Sequence, residues 1–307
     1  MTNIKTLFNF KSVIELLDYF KDEKTCIAFY EQIRWNGSPV CPHCGSCKTP
    51  YRTAKGFKCS EKLCHKKFTV KVGTIFQQSH IPLRTWFAAI YLQTAHKKGI
   101  SSLQLGRDLH ITQKTAWYLL HRIREMLRAK EPVMLRGTIE ADEAYLGGKD
   151  KNRHKHKKKG SIGTQDKIVM LGLVEKGGRV FAKHIKAPTK EEIAPVLEKH
   201  IELGSGLHTD EHYGYTVVGK KFQHKTVKHL LHIYVDGDVT TNTIEGFWAN
   251  LKRGIYGIYH YASEKHIDRY LDEFCARYNT RHIGEDERFE NFLKQSESRL
   301  TWKRLTA

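Results

Sequence analysis

TIEADEAYLGG, residues 138–148, is an apolar run of strand type with an aspartate, Asp142, near its centre and a glycine pair at its end. Burying an acid is costly unless it is paired or holds a cation, so a strand-centred aspartate asks for a reason. A second acid, Asp210, ends another strand-like run, GLHTDEHYGY (residues 206–215), and a third, Glu245, opens an amphipathic helix, TNTIEGFWANLKRG (residues 241–254). Either aspartate taken singly reads more readily as a salt-bridge partner or an edge residue. The set of three with basic flanks points to divalent ions, which neutralise the acids, activate water or a 3′-hydroxyl and stabilise the leaving oxygen of a phosphodiester.

Outward from this stretch the pattern is alternating. Strand-like runs cover residues 138–145, 167–174, 179–185 and 206–210, a helical stretch covers 190–201, and a helix-rich tract covers 241–300. Strands first, then one helix, a further strand and more helices predict an α/β layer. Strand alternation puts Glu140 on the face of Asp142 and turns Glu143 away, so Glu140 is the expected spare ligand. Asn242 lies one helical turn before Glu245, on the same face. His208 shares a face with Asp210 and reads as a packed histidine, and Trp248 reads as core.

The whole chain has 307 residues, enough for two domains or one large domain with an appendage. Lysine and arginine number 52 against 33 acids, a formal charge of +19, and such a surface suits a polyanion, because neutralising phosphates releases counterions. No apolar run approaches the roughly 18 residues of a membrane span. The N-terminus interrupts its apolar repeat with Asp18, Asp22 and Glu23 and so does not read as a signal peptide; the expected location is cytoplasmic, with no membrane partner. KDKNRHKHKKK, residues 149–159, holds seven basic residues and one acid and reads as a solvated loop, either a nucleic-acid contact or a solubilising segment.

Upstream, two short helices are expected within residues 4–35. Cys41-Pro-His-Cys44 is followed by Cys59 and Cys64, two knuckles separated by a hairpin-length spacer. Four thiolates delivered in two pairs suit one structural, tetrahedral Zn²⁺, with His43, Cys47 and His65 close enough in sequence to substitute. Cys26 and Cys275 sit in helical apolar patterns and read as buried thiols. ISSLQLGRDLHITQKTAWYLLHRIREM, residues 100–126, reads as a helix-turn-helix: Ser101 or Ser102 caps a helix carrying Leu103, Leu105 and Leu109, and a second helix turns Ala116, Leu119, Leu120 and Ile123 inward. Gln113, Lys114, Thr115 and Tyr118 then occupy the end of the second helix that meets base edges, with Arg122 and Arg124 left to phosphates.

From residue 41 to about 279, the order CPHCG, KCSEKLCHKKFTVKVGTIF, the helical pair, IEADEAYLGG, HTDEHYGY and NTIEGFWANLKRG resembles the DDE transposases of bacterial insertion sequences that carry an N-terminal zinc ribbon, the ISXO-like group. The resemblance implies a ribonuclease H-like core, two Mg²⁺ (or Mn²⁺) ions, and cleavage and strand transfer at terminal inverted repeats. It implies Asp142, Asp210 and Glu245 as the three acids, with Lys252, two turns beyond Glu245, and its neighbour Arg253 on DNA. Some relatives of this kind are described with asparagine at the third position, which makes Asn242 the alternative there. The implied partners are double-stranded DNA, both element ends and target, and further copies of the chain on that DNA. The expected division is an N-terminal helical segment (1–36), zinc ribbon (37–78), helix-turn-helix region (79–132), catalytic domain (133–285) and helical tail (286–307). Two rivals remain: a zinc-ribbon, helix-turn-helix regulator with an inactive remnant core, and a structure-selective nuclease that cuts without joining.

Overall fold

IVMLGLV, residues 168–174, is apolar at both alternations, so the strand it forms has to be covered on both faces. The computed structural model describes residues 10–148, 156, 167–215, 221–227, 235–236 and 239–307. In chain order its helices are α1 (Val13–Tyr19), α2 (Glu23–Trp35), α3 (Leu83–Ala95), α4 (Ser102–Asp108), α5 (Gln113–Leu127), α6 (Lys190–His200), α7 (Asn242–Gly254), α8 (Ile267–Asn279), α9 (Glu285–Lys294) and α10 (Trp302–Thr306). Its strands are β1 (Tyr51–Thr53), β2 (Gly56–Lys58), β3 (Lys67–Phe68), β4 (Thr138–Leu146), β5 (Ile168–Glu175), β6 (Val180–Ile185), β7 (Gly206–Thr209), β8 (Gln223–Thr226), β9 (Val235–Asp236) and β10 (Val239–Thr240). Two units result, one of residues up to Arg128 together with His282–Ala307, the other Ala129–Arg281. Most of the basic segment 149–159 lies outside the described residues.

The second unit is built on a five-stranded sheet in the order β6-β5-β4-β7-β8. β4, β5 and β6 are antiparallel neighbours, whereas β7 and β8 run parallel to β4. Period-two alternation divides the side chains between two cores. Ala144, Leu146, Met170 and Val174 pack with Ile244, Trp248 and Leu251 of α7 and Phe274 of α8. Ile139, Ala141, Val169, Leu171 and Leu173 pack with Ile193 and Leu197 of α6 and with Tyr215. Each fully buried Val, Leu or Phe contributes about 1.5–3 kcal/mol, which is why this central strand pair anchors the unit. Edge strand β6 would leave backbone donors unpaired. Asn279 at the end of α8 accepts from Val180 N (2.7 Å) and donates to Val180 O (2.9 Å), and Asp268 accepts from His184 N (2.8 Å).

In the first unit α1 and α2 lie within the predicted helical segment. Edge-on packing among Phe20, Phe29, Phe87 and Phe289 joins it to α3 and α9. Trp35 sits edge-on to Phe57 and Phe68 (5.5 and 5.9 Å), tying α2 to the small sheet β1-β2-β3. α4 and α5 are capped by Ser101 and Thr112, whose hydroxyls accept from Gln104 N and Thr115 N. Their turn folds back so tightly that Ile111 N donates to Gly106 O, and a Cβ on Gly106 would stand 2.9 Å from Ile111 O. Ala116, Leu119, Leu120 and Ile123 are buried as their spacing predicts, but Leu103 is 53% exposed, because two-turn α4 buries Leu105 and Gly106 instead.

Candidate functional site

Parallel pairing between β4 and β7 covers Thr138↔Gly206, Ile139↔Leu207 and Glu140↔His208 and then stops. Continued two residues further, the register sets Asp210, just past the carboxyl end of β7, opposite Asp142 at the middle of β4, where the β4–β7 ladder has opened. Such a gap is where ligands bind in open α/β sheets. Oxygens of Asp142, Glu143 and Asp210 lie within 4.8 Å of one another. One Asp210 oxygen accepts from His212 N (3.0 Å), which fixes the carboxylate over the gap.

Crowding and burial set the charge of this cluster. Desolvation first, then the Asp210 charge, pushes the Asp142 carboxyl up to about 7; Glu245 adds to the rise and Lys252 opposes it. Glu143 also rises to about 7, again mainly by burial, with the Tyr215 hydroxyl working the other way and the two aspartates adding to the rise. Tyr215, fully buried beside Glu143, is pushed far above the usual phenol range by burial and then by that carboxylate. Three crowded oxygen donors, two of them with raised carboxyl pKa values, are a suitable donor set for a hard divalent cation such as Mg²⁺ or Mn²⁺, which would supply the missing counter-charge.

Glu140 does not take the part that strand alternation assigns to it. Its buried carboxylate accepts from Thr243 N (2.8 Å), Thr243 Oγ1 (3.0 Å) and Ile244 N (3.0 Å), capping the N-terminus of α7 with an anion where the helix dipole favours one. Glu143, expected to point away, joins the aspartates instead, because the ladder has ended beside it and a long side chain from either face can reach the gap. No spacing rule carries that signal; it needs the register of β7.

α7 brings the remaining candidates. Glu245 is exposed in its first turn and accepts from Thr241 Oγ1 (3.0 Å). It stands outside the group that shares a 4.8 Å neighbourhood, yet its charge and that of Lys252 both act on Asp142. Asn242, the first residue of the helix, is exposed, and its N–H donates to Thr240 Oγ1 (3.1 Å); Arg253 is exposed one residue beyond Lys252. Tyr256, half-exposed and one turn past Lys252, accepts from Gly147 N (3.4 Å), so the stripe Glu245, Lys252, Tyr256 ends over the tip of β4. His208 and Trp248 are buried, as expected of packed side chains.

In the first unit, Cys41, Cys44, Cys59 and Cys64 gather with sulfurs within 4.8 Å of one another. Cys41 Sγ to Cys64 Sγ is 3.8 Å and Cys44 Sγ to Cys59 Sγ is 3.7 Å. Four sulfurs at the corners of a tetrahedron with metal–sulfur bonds of about 2.3 Å stand about 3.8 Å apart, whereas a disulfide needs about 2.05 Å. The four-cysteine cluster therefore fits a zinc ribbon. The wider second knuckle closes like the first: Cys41 N donates to Ser46 O and Cys59 N to Lys66 O (both 3.0 Å). Left-handed residues, Gly45 (φ 71°) and His65 (φ 45°), follow the second cysteine of each. Burial works against the Cys41 thiolate, but the N–H groups of His43 and Cys44 and the adjoining thiols outweigh it and hold the pKa down at about 7. Cys26, by contrast, is fully buried and pushed up to about 12 by burial.

At the start of α5, Gln113 Nε2 donates to Ser102 Oγ (2.9 Å) and Thr115 Oγ1 pairs with Thr112 Oγ1 (2.8 Å). Lys114 Nζ stands 5.1 Å over the Trp302 ring, and Tyr118 Oη donates to Leu300 O (2.7 Å). Arg122 and Arg124, left to phosphates by sequence spacing, are 4% and 1% exposed. Arg122 donates to Gln77 O (2.6 Å) between Trp86 and Tyr118, and burial lowers its pKa. The reason is packing on both sides: α5 is enclosed from Leu119 to Leu127, so helical periodicity no longer separates an inner from an outer face.

Residues 134–279 match the family described as ISXO2-like transposase domain, of the IS1595 DDE type, and residues 21–67 match the transposase zinc-ribbon domain of the same group. The chain is also 28% identical, over 274 residues covering 84% of it and 91% of the relative, to a protein of Halobacterium salinarum described as an uncharacterized protein in transposable element ISH50. Both family matches are to transposase domains, and the relative is described as lying in a transposable element. Residues 134–279 are thus similar to an ISXO2-like DDE transposase domain and residues 21–67 to a transposase zinc ribbon. No helix among the described residues is long and apolar enough to cross a membrane.

Proposed function

We propose that this chain is a DNA transposase that binds the terminal inverted repeats of an insertion sequence and carries out metal-dependent strand cleavage and strand transfer. The observation that carries the reading is the convergence of Asp142 and Asp210, with Glu143, at the open end of the β4–β7 ladder inside the transposase-family region. Supporting it, the sheet has the meander-then-parallel order of a ribonuclease H-like core, and α4 and α5 have the caps and tight turn of a helix-turn-helix. We assign Asp142 and Asp210 as metal ligands, Glu245 as the third acid with Asn242 as the alternative, and Lys252 and Arg253 as contacts to DNA near the cleaved end. Gln113, Lys114, Thr115 and Tyr118 are the base-facing residues. Arg122 acts on DNA only through the packing of α5, since its own guanidinium is enclosed.

Two Mg²⁺ or Mn²⁺ ions held by these acids supply Lewis acidity toward the phosphodiester. The chain's own residues do the rest. Asp142 and Glu143 present oxygens from β4 and Asp210 from just past β7, two strands paired immediately before the site, so the donors are pre-positioned. Lys252 offsets negative charge at the mouth of the site, where a phosphate backbone arrives. Water first opens one strand, and the freed 3′-OH then attacks target DNA; both are in-line displacements that need no covalent protein intermediate. Cys41, Cys44, Cys59 and Cys64 hold one structural Zn²⁺. The reaction joins two element ends to one target, so the chain acts as a homo-oligomer on DNA, in the cytoplasm and on the nucleoid.

The test is a supercoiled plasmid carrying the DNA that flanks this gene, incubated with the wild-type chain or with Asp142→Asn and Asp210→Asn. Nicking and joined products are expected from the wild type and not from either variant, while both variants still retard the flanking DNA. Cleavage unchanged in both variants refutes the assignment of the site.

A further inference from the structure

Burial of Arg122 and Arg124 leaves the α5 face short of the cations that a duplex-binding surface needs for phosphates. The C-terminal segment supplies them at the same place. Residues 299–307 read RLTWKRLTA, with three cations and no acid. Leu300 and Leu305 are each 1% exposed and anchor the segment in the first unit, while Arg299, Trp302, Lys303 and Arg304 remain exposed. Aromatic, hydrogen-bonding and ionic partners register it against α5. The Trp302 ring lies 5.9 Å from Trp117 and 5.3 Å from Tyr118, under Lys114 Nζ at 5.1 Å. Leu300 O accepts from Tyr118 Oη, and Arg304 Nη2 stands 3.4 Å from Glu125 Oε1. Arg299 donates to Gln78 (2.7 Å), but a guanidinium carries five N–H donors and is not exhausted by one acceptor.

We propose that residues 299–307 and the N-terminal half of α5 form one duplex-binding surface, in which Arg299, Lys303 and Arg304 contact backbone phosphates and the half-exposed Trp302 holds Lys114 and Tyr118 in place beside the bases. The tail thus takes the part that sequence spacing gives to Arg122 and Arg124. This rests on the reading of α5 as the DNA-facing helix.

The experiment measures binding of the full chain to a short mixed-sequence duplex by fluorescence anisotropy across a salt series. Lys303→Ala/Arg304→Ala is expected to raise Kd roughly tenfold near 0.1 M salt and to reduce the slope of log K against log[salt] by about 2, about 0.9 for each phosphate no longer neutralised. Arg299→Ala, a separate exposed site, is expected to reduce the slope by about 1, and keeps the test open should the double variant fail to fold. Lys114→Ala reports on α5 itself. Tail variants without effect, beside a Lys114→Ala that weakens binding, overturn the tail's part and leave the α5 reading standing. No effect from any of them overturns both. Tighter binding by the tail variants also overturns the proposal, since it marks a segment that shields α5.

Discussion

Gly172 lies directly opposite Asp142 in the β4–β5 ladder, and its missing side chain is what lets α7 press onto the sheet at that row. A Cβ there would stand 2.4 Å from Trp248 Cζ2 and 2.8 Å from Ile244 Cδ1. The helix bearing Glu245 and Lys252 is therefore held at its height above Asp142 by one absent methyl group. A lone glycine inside an apolar strand is the sequence signal for such a close approach.

Gly172→Ala is expected to destabilise the chain by about 1–3 kcal/mol, since neither Trp248 nor Ile244 has room to move inside the core. Chemical denaturation measures the loss, and DNA nicking by the surviving folded protein should fall with it. A variant as stable as the wild type refutes the packing argument.

Glu140→Gln separates capping from metal binding. Replacing the anion at the start of α7 by a neutral amide that cannot accept from three donors equally is expected to cost about 1–3 kcal/mol. Mn²⁺ affinity, followed by calorimetry, should stay near wild type. A large loss of Mn²⁺ affinity with stability intact would return Glu140 to the ligand set.

The raised carboxyls predict a pH dependence with a definite sign. Asp142 and Glu143 titrate near 7 in the folded chain and near 4 when unfolded, so between these values the folded state binds more protons. Without divalent ions their contribution to stability is full below about pH 4 and is lost as pH rises to about 7. Thermal melts across this range should show the decline, and Asp142→Asn should flatten part of it. Mn²⁺ added at about pH 7.5 should restore stability, and its affinity should weaken on acidification because protons compete for the same oxygens.

Chelation of the ribbon metal is expected to unfold β1-β2-β3 and the knuckles, since metal binding supplies about 10–16 kcal/mol to modules of this size. The edge-on packing of Trp35 on Phe57 and Phe68 should disappear with it, changing tryptophan fluorescence. Four thiols should become reactive together while Cys26, buried and with its pKa near 12, stays inert. A spectrum and thiol count unmoved by chelator argue against a metal-dependent ribbon.

Local rules carry a long way in this chain. The cysteine spacing, the serine cap of α4 and the inward residues of α5 are all set by residues a few positions apart, and they are legible in the sequence alone. So are the strand placement of Asp142 and its pairing with Asp210 as chemistry, because a buried acid needs compensation wherever it sits. What only the tertiary structure decided depends on where a ladder ends or a second layer closes. Glu143 enters the acid cluster and Glu140 leaves it because β7 stops pairing with β4 after His208 and α7 begins over Glu140. Arg122 turns inward because its helix is covered on both sides, and the tail reaches α5 from the far end of the chain. Periodicity reports which face of an element is apolar; it holds no information on which distant segment arrives to cover the rest.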